Sequence, residues 1–278
     1  MSNLNYLNLG CGNKFHKEWV NMDMVSNSPY VRSHNLLKGL PFPNDQFDVI
    51  YHSQVLEHFP KEKAPDFIRE CFRVLKPRGI MRVVVPDLEN IVNEYIKHLN
   101  ENIENPGRQA EANYDWILLE MYDQTVRNYS GGQMAEFLKE PELVNEEYVL
   151  GRSGYVGKSI RNTYMTPAED KQGIANLIKA AHPSGTKKVI RHILRKLSDV
   201  LSSPEKKIGA FRLGGEIHMW MYDRFSLSRL MRKAGFEEIE IKRPHESNIP
   251  QWDTYELDVK DGAVFDPTSL FMEARKPG

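Results

Sequence analysis

Three observations predict an α/β fold built on a doubly wound, mostly parallel sheet, with a large, mainly helical insertion after its fifth strand. Short apolar strands alternate with turns and a helix through residues 1–88, ending in a near-continuous apolar run at 80–85 with three consecutive valines. Such a run suits a central parallel strand buried on both faces. Strand character then disappears until about residue 216 and returns near the end of the chain, so a last pair of strands completes the same sheet.

The elements follow in order. Residues 6–9 form the first strand and stop abruptly at Gly10-Cys11-Gly12. Residues 19–22 form a second strand closed by Asp23, and 31–34 a weak third. Leu40-Pro41-Phe42-Pro43-Asn44-Asp45 is a loop, because its prolines block helix and its Asn-Asp pair favours turning. Residues 47–51 are the fourth strand. Over 64–75 the positions of Phe67, Ile68, Cys71, Phe72 and Leu75 describe an amphipathic helix, which Pro77 and Gly79 terminate. Near the end, a helix over 225–234 closes at Gly235 and precedes strands at 238–242 and 269–274. The sheet domain is therefore expected to comprise 1–88 and 216–278. Residues 89–215, more than a connecting loop needs, form the insertion.

Composition narrows the function. With 37 basic and 38 acidic side chains the chain has no global charge bias, which argues against a dedicated nucleic-acid binder. The two cysteines, Cys11 and Cys71, have no CxxC spacing, so neither a disulfide framework nor a metal site is expected. The opening residues lack the pattern of a signal peptide, and no stretch has the length of a membrane span. A cytoplasmic protein without a transmembrane segment is expected, and a homo-oligomer is left open.

A strand that ends in glycines lets a ligand approach the backbone, and ligands of parallel α/β sheets bind outside the carboxyl ends of the strands. Asp23, at the end of the second strand, is placed to accept hydrogen bonds from both hydroxyls of a ribose. The glycine turn alone is a weak signal, since most glycines in turns are only turn residues.

The order of the wider motifs is more specific. Leu7-Asn8-Leu9-Gly10-Cys11-Gly12, Trp19-Val20-Asn21-Met22-Asp23, His34-Asn35-Leu36, Leu40-Pro41-Phe42 and Phe47-Asp48-Val49-Ile50-Tyr51 occur in sequence. Val55-Leu56-Glu57-His58-Phe59 and Arg73-Val74-Leu75-Lys76-Pro77-Arg78-Gly79 follow. This series closely resembles the type 11 branch of the class I S-adenosylmethionine-dependent methyltransferases, and residues 235–275 resemble that family's last helix and two strands. The resemblance implies a Rossmann-like domain with S-adenosylmethionine as cofactor. It places Asn8, Gly10, Cys11 and Gly12 at the methionine moiety, Asp23 at the ribose and Met24 beside the adenine. Asn35, where relatives usually carry Asp, and Leu36 would serve the adenine end, and Ser53 the methionine end.

Two departures from the family pattern carry physical weight. Residues 13–18 have room for one helical turn at most, whereas a dinucleotide relies on a full helix there to hold its pyrophosphate. S-adenosylmethionine has no phosphate, so the short crossover favours it over NAD and disfavours a nicotinamide-dependent oxidoreductase. The first strand also begins close to Met1, so cover for the cofactor is expected from the insertion.

The insertion is rooted after the fifth strand, at the edge where the cofactor binds, and suits a lid that excludes water and holds the acceptor. Tyr122, Asp123, Arg127 and Trp220 are its expected acceptor-binding residues, beside a Gly131-Gly132 break. For Asp123 and Arg127 the plainer reading is an ion pair one helical turn apart. Residues 187–197 read as a basic amphipathic helix, packed on one face and solvated on the other. Methyl transfer must align donor and acceptor and remove one proton. His218, His58 and Asp87 are the expected proton-handling residues. Domains of this kind often resemble those encoded with surface-polysaccharide enzymes, so O-methylation of a sugar or nucleotide-sugar is the leading expectation. The alternative is a non-catalytic S-adenosylmethionine-binding module that acts through protein contacts.

Overall fold

A computed structural model describes residues 4–26, 28–165 and 203–278. The basic stretch at 187–197 lies outside the described residues. The sheet carries seven strands in the order β3-β2-β1-β4-β5-β9-β6. These are β1 (Tyr6–Leu9), β2 (Val20–Asp23), β3 (Val31–Ser33), β4 (Phe47–Ser53), β5 (Leu75–Pro86), β6 (Glu237–Lys242) and β9 (Ser269–Arg275). β3, β2, β1, β4 and β5 pair in parallel, whereas β9 runs antiparallel between β5 and β6. The predicted return of the last two strands to the same sheet therefore holds. β7 (Val259–Lys260) and β8 (Ala263–Val264), a small separate hairpin, carried no sequence signal strong enough to be read.

The two faces of the sheet are covered differently. Helix α1 (Ala64–Val74) buries Phe67, Ile68, Cys71 and Val74 on one face. The last helix, α7 (Arg224–Lys233), joins the same core through Leu227 and Met231. Asp223 and Ser226 cap α7 reciprocally, and Gly235 ends it at φ 103°, where a Cβ would stand 3.0 Å from the Phe72 ring. On the other face the first crossover, residues 13–18, contains no helix, as its length requires. Trp19, Tyr51, Ile249, Trp252 and Leu257 fill that side instead. The aromatic stretch 251–256 is thus a structural cover: Trp252 packs 5.3 Å from Tyr51 and 6.3 Å from Trp19, ring centre to ring centre.

The insertion is helical where described: α2 (Leu88–Glu104), α3 (Arg108–Val126), α4 (Gly132–Phe137), α5 (Glu146–Met165) and α6 (Pro204–Arg212). It leaves and rejoins the sheet side by side, since the Leu88 N–H donates to the Tyr222 carbonyl at 2.9 Å. Trp116, Leu138 and Val149 give it a small core of its own. A kink at Gly154 (φ 57°) interrupts α5 and lets its backbone approach Phe265, where a Cβ would sit 2.3 Å from the carbonyl oxygen. The neighbouring Tyr155 N–H donates to that carbonyl at 3.2 Å, so the kink fastens the insertion to the segment leading into β9. Among the described residues, no helix is long and apolar enough to cross a membrane.

Candidate functional site

The site begins where β1 ends. Gly10 (φ 63°) and Gly12 (φ 51°) both lie in the left-handed region. A Cβ on Gly10 would stand 2.4 Å from Val55 Cγ2, so packing alone demands glycine there. A Cβ on Gly12 would meet nothing within 4 Å, which leaves open space against that backbone. Between them Cys11 is buried, and burial, aided by the Asp23 carboxylate, pushes its thiol up to about 12. Asp23 Oδ2 accepts the Gly12 N–H at 2.8 Å and Oδ1 accepts the Val25 N–H at 3.1 Å. The carboxylate is fixed against the turn and keeps lone pairs to spare for a ligand.

The other expected cofactor residues divide by role. Met24 is exposed beyond Asp23. Asn35 caps the short 3-10 turn Leu36–Lys38, its Oδ1 accepting the Leu37 N–H at 3.0 Å. Ser53 is buried at the end of β4. Asn8 is buried, and its amide donates to the Lys14 carbonyl at 2.9 Å, holding the loop after the glycine turn. Open space at Gly12 beside a fixed carboxylate on Asp23 fits the nucleoside of S-adenosylmethionine.

The glycine requirement can be measured. Gly10→Ala should destabilise the chain by about 2–4 kcal/mol, from overpacking against Val55 and the left-handed backbone. Urea unfolding reads the loss, and adding Val55→Ala should recover part of it. If the double variant is no more stable than Gly10→Ala, the contact with Val55 is not what excludes a side chain.

A cavity of about 480 Å³ opens at the carboxyl ends of β4 and β5, roofed by α3, α4 and α5. Asp87 lines it and caps α2, accepting the Glu89 N–H at 3.0 Å, and burial raises its pKa. His58 and His218 line it too and meet edge to face, with ring centres 4.9 Å apart. His58 Nδ1 lies 3.1 Å from the Ile217 carbonyl. A carbonyl only accepts, so Nδ1 carries the proton and Nε2 the lone pair. Burial lowers both imidazole pKa values, that of His218 to about 3, with His58 and Arg127 adding to the effect. Glu57 lies beside them, fully buried, and neither of its carboxylate oxygens has a hydrogen-bond partner. Burial pushes its pKa up to about 8.

Of the four expected acceptor-binding residues, Arg127 alone lines the cavity. Its guanidinium lies 3.0 Å from Glu216 and 3.8 Å from Asp123. Asp123 serves the Gly131-Gly132 break: it accepts the Gln133 N–H at 2.7 Å, and a Cβ on Gly132 would stand 2.2 Å from its carboxylate. Tyr122 is 56% exposed on the far side of α3. Trp220 lies outside the lining, with Lys61 Nζ 3.9 Å from its ring centre. Glu120 lies within a turn or two of Asp123 and Arg127 in the sequence; what sequence reasoning missed is Arg152, its partner in the cavity wall. Glu120 accepts from Arg152 at 2.6 and 2.7 Å and from the Trp116 indole at 3.1 Å, rather than joining Asp123 and Arg127. No local motif marks Arg152, which comes from a helix whose place only the fold reveals.

Comparison with known proteins agrees with this geometry. Residues 7–83 match the family model described as a methyltransferase domain. A Mycolicibacterium smegmatis protein described as an S-adenosylmethionine-dependent methyltransferase is 41% identical over 54 residues. That stretch is 19% of this chain and 20% of the relative, so the chain aligns with only a fifth of that protein's length. Among solved structures, a methyltransferase of Haloferax volcanii in complex with the activator Trm112 overlays with a TM-score of 0.39 at 11% identity, covering 99% of this chain and 83% of that one. A SAM-dependent methyltransferase from Archaeoglobus fulgidus overlays with a TM-score of 0.38 at 11% identity, covering 99% and 87%. These overlays are loose, and the assignment rests on the sequence matches together with the sheet order and the glycine turn. Residues 7–83, which carry the glycine turn after β1 and Asp23 at the end of β2, are a methyltransferase domain of the S-adenosylmethionine-dependent kind.

Proposed function

We propose that the chain is an S-adenosylmethionine-dependent methyltransferase whose acceptor is a small molecule, a sugar or nucleotide-sugar hydroxyl, held in the cavity beneath α3, α4 and α5. One observation carries this reading: the cavity opens at the carboxyl ends of β4, the strand next to β1 and its glycine turn, and of β5 beyond it. S-adenosylmethionine would supply an activated methyl group on its sulfonium. The backbone at Gly10, Cys11 and Gly12 would face the methionine moiety and Asp23 would hold the ribose, with Met24 and Asn35 at the adenine end. The segment 89–215, helical where described, would act as lid and acceptor site, keeping water from the reacting atoms. The wall supports a polyol: Gln124, Arg127 and Ser130 offer donors and acceptors, and Met134 and Val156 an apolar surface. Asp87, His58 and His218 stand where an acceptor hydroxyl could give up its proton. A place in polysaccharide biosynthesis within the cytoplasm follows from that substrate class.

Titration calorimetry of the purified chain with S-adenosylmethionine is the first test, and saturable binding at one equivalent is the expected result. Incubation with methyl-labelled cofactor and a panel of sugars and nucleotide-sugars should then label at least one. Absence of cofactor binding would sink the reading. Binding without transfer to any acceptor would replace it with a non-catalytic module acting through protein contacts.

A further inference from the structure

Glu57, His58 and His218 bring three ligand atoms within 4.8 Å of one another, in a protein whose two cysteines offer no metal site. We infer that they bind one divalent transition-metal ion of the zinc class, with its open coordination position facing the acceptor cavity. Two imidazoles and a carboxylate are the ligand set of catalytic sites that keep a place for a fourth, exchangeable ligand.

Several independent features point the same way. His58 is already oriented as metal-binding histidines are, since its Nδ1–H is held by the Ile217 carbonyl and Nε2 is left as the ligand atom. The Glu57 carbonyl accepts the N–H groups of Met219 and Trp220 at 2.7 and 3.2 Å, and the His218 N–H donates to Gln124 at 3.0 Å. The backbone therefore fixes all three ligands before any ion arrives. Glu57 is 0% exposed with both oxygens unpartnered, a costly state that a cation would relieve. The edges of a tetrahedral site with metal–ligand bonds of about 2.0–2.1 Å are about 3.3 Å long, so closure needs only small side-chain shifts. The nearby Arg127 faces both Glu216 and Asp123, so its positive charge is answered locally.

The function that follows deepens the proposed reading and rests on it: an acceptor oxygen bound at the open position would lose its proton more readily, and Asp87 in the same cavity wall would take it, since the two imidazoles then spend their lone pairs on the ion. Metal binding itself is testable without turnover. The full chain, stripped with a chelator and dialysed, is titrated with Co²⁺ as a spectroscopic stand-in. The expected result is one equivalent bound with visible absorption of low-symmetry Co²⁺, displaced by Zn²⁺. His218→Ala and the near-isosteric Glu57→Gln should each weaken binding more than about 100-fold, beyond the usual effect of losing an outer-shell partner. Melting curves identify which variants fold, and the comparison is made on those. Co²⁺ uptake absent from the wild-type chain, or undiminished in a folded variant, would overturn the inference. Calorimetry with S-adenosylmethionine on the same metal-free preparation separates the two proposals, because cofactor binding without Co²⁺ uptake removes the metal and keeps the methyltransferase.

Discussion

Replacing Arg82 with methionine should remove about 4 kcal/mol or more of folding stability, lowering the melting temperature on the order of 10 °C. Arg82 lies in the middle of β5 with 0% exposure, directly opposite Glu273 of β9 in the pairing register. It donates to Asp258 and Glu273, both at 2.7 Å, and to the carbonyls of Glu246, Arg243 and Pro244. Asp258 also accepts from the Tyr51 hydroxyl at 2.6 Å, and Glu273 from Ser247 and from the Asn248 N–H. Burial raises the Asp258 pKa, and Arg82 opposes that rise. Without the guanidinium, two buried carboxylates and three carbonyls lose their partner together. Such an uncompensated charge costs far more than the intact pair contributes. Asp258→Asn combined with Glu273→Gln should therefore recover part of the loss in the Arg82→Met background, a coupling that thermal or urea unfolding measures directly. A single variant that melts like the wild type would show that the network is neutral to folding.

Asp23→Ala should weaken S-adenosylmethionine binding by about 3 kcal/mol or more, a loss on the order of 100-fold in Kd. The carboxylate is the charged group fixed beside the open space at Gly12, and two hydrogen bonds from a ribose would each be charge-assisted. The same side chain holds the N–H groups of Gly12 and Val25, so some loss of stability accompanies the substitution. Asp23→Asn separates the two effects. Its amide oxygen can still accept one of those N–H bonds while the negative charge is gone. Calorimetry reads affinity and a melting curve reads the turn. If Asp23→Ala binds the cofactor as the wild type does, the ribose lies elsewhere.

Much of the fold was legible in the sequence because its signals are local. The apolar run over 80–85, the amphipathic pattern over 64–75 and the strand stopping at Gly10 each need only neighbouring residues to be read, although the helix ends at Val74 and Pro77 and Gly79 lie inside β5. The crossover at 13–18 was legible by its length, and it contains no helix. Facing directions were harder. Trp116, Glu120, Gln124 and Arg127 fall on one stripe of helical spacing and line the cavity, whereas Tyr122 stands about 200° around the axis from Glu120. Its aromatic character drew attention, but the periodicity of α3 decides the side. In β1, Asn8 lies inside the motif and its amide donates to the Lys14 carbonyl, a contact the motif does not announce. His58 and His218 were legible singly as titratable groups near the edge. Their meeting with Glu57 was not, since contacts between residues so far apart in sequence arise from topology alone.

The segment between β6 and β9 stands in for a helix. Ile249, Trp252 and Leu257 cover a sheet face, and Asp258 answers a charge in a central strand. Its irregular backbone therefore answers to the rules of an interior rather than of a connector. Length changes that surface loops ordinarily absorb would here displace rings and strand a charge. For evolution and for protein engineering alike, this stretch is a poor place to graft a tag, an epitope or a new substrate loop.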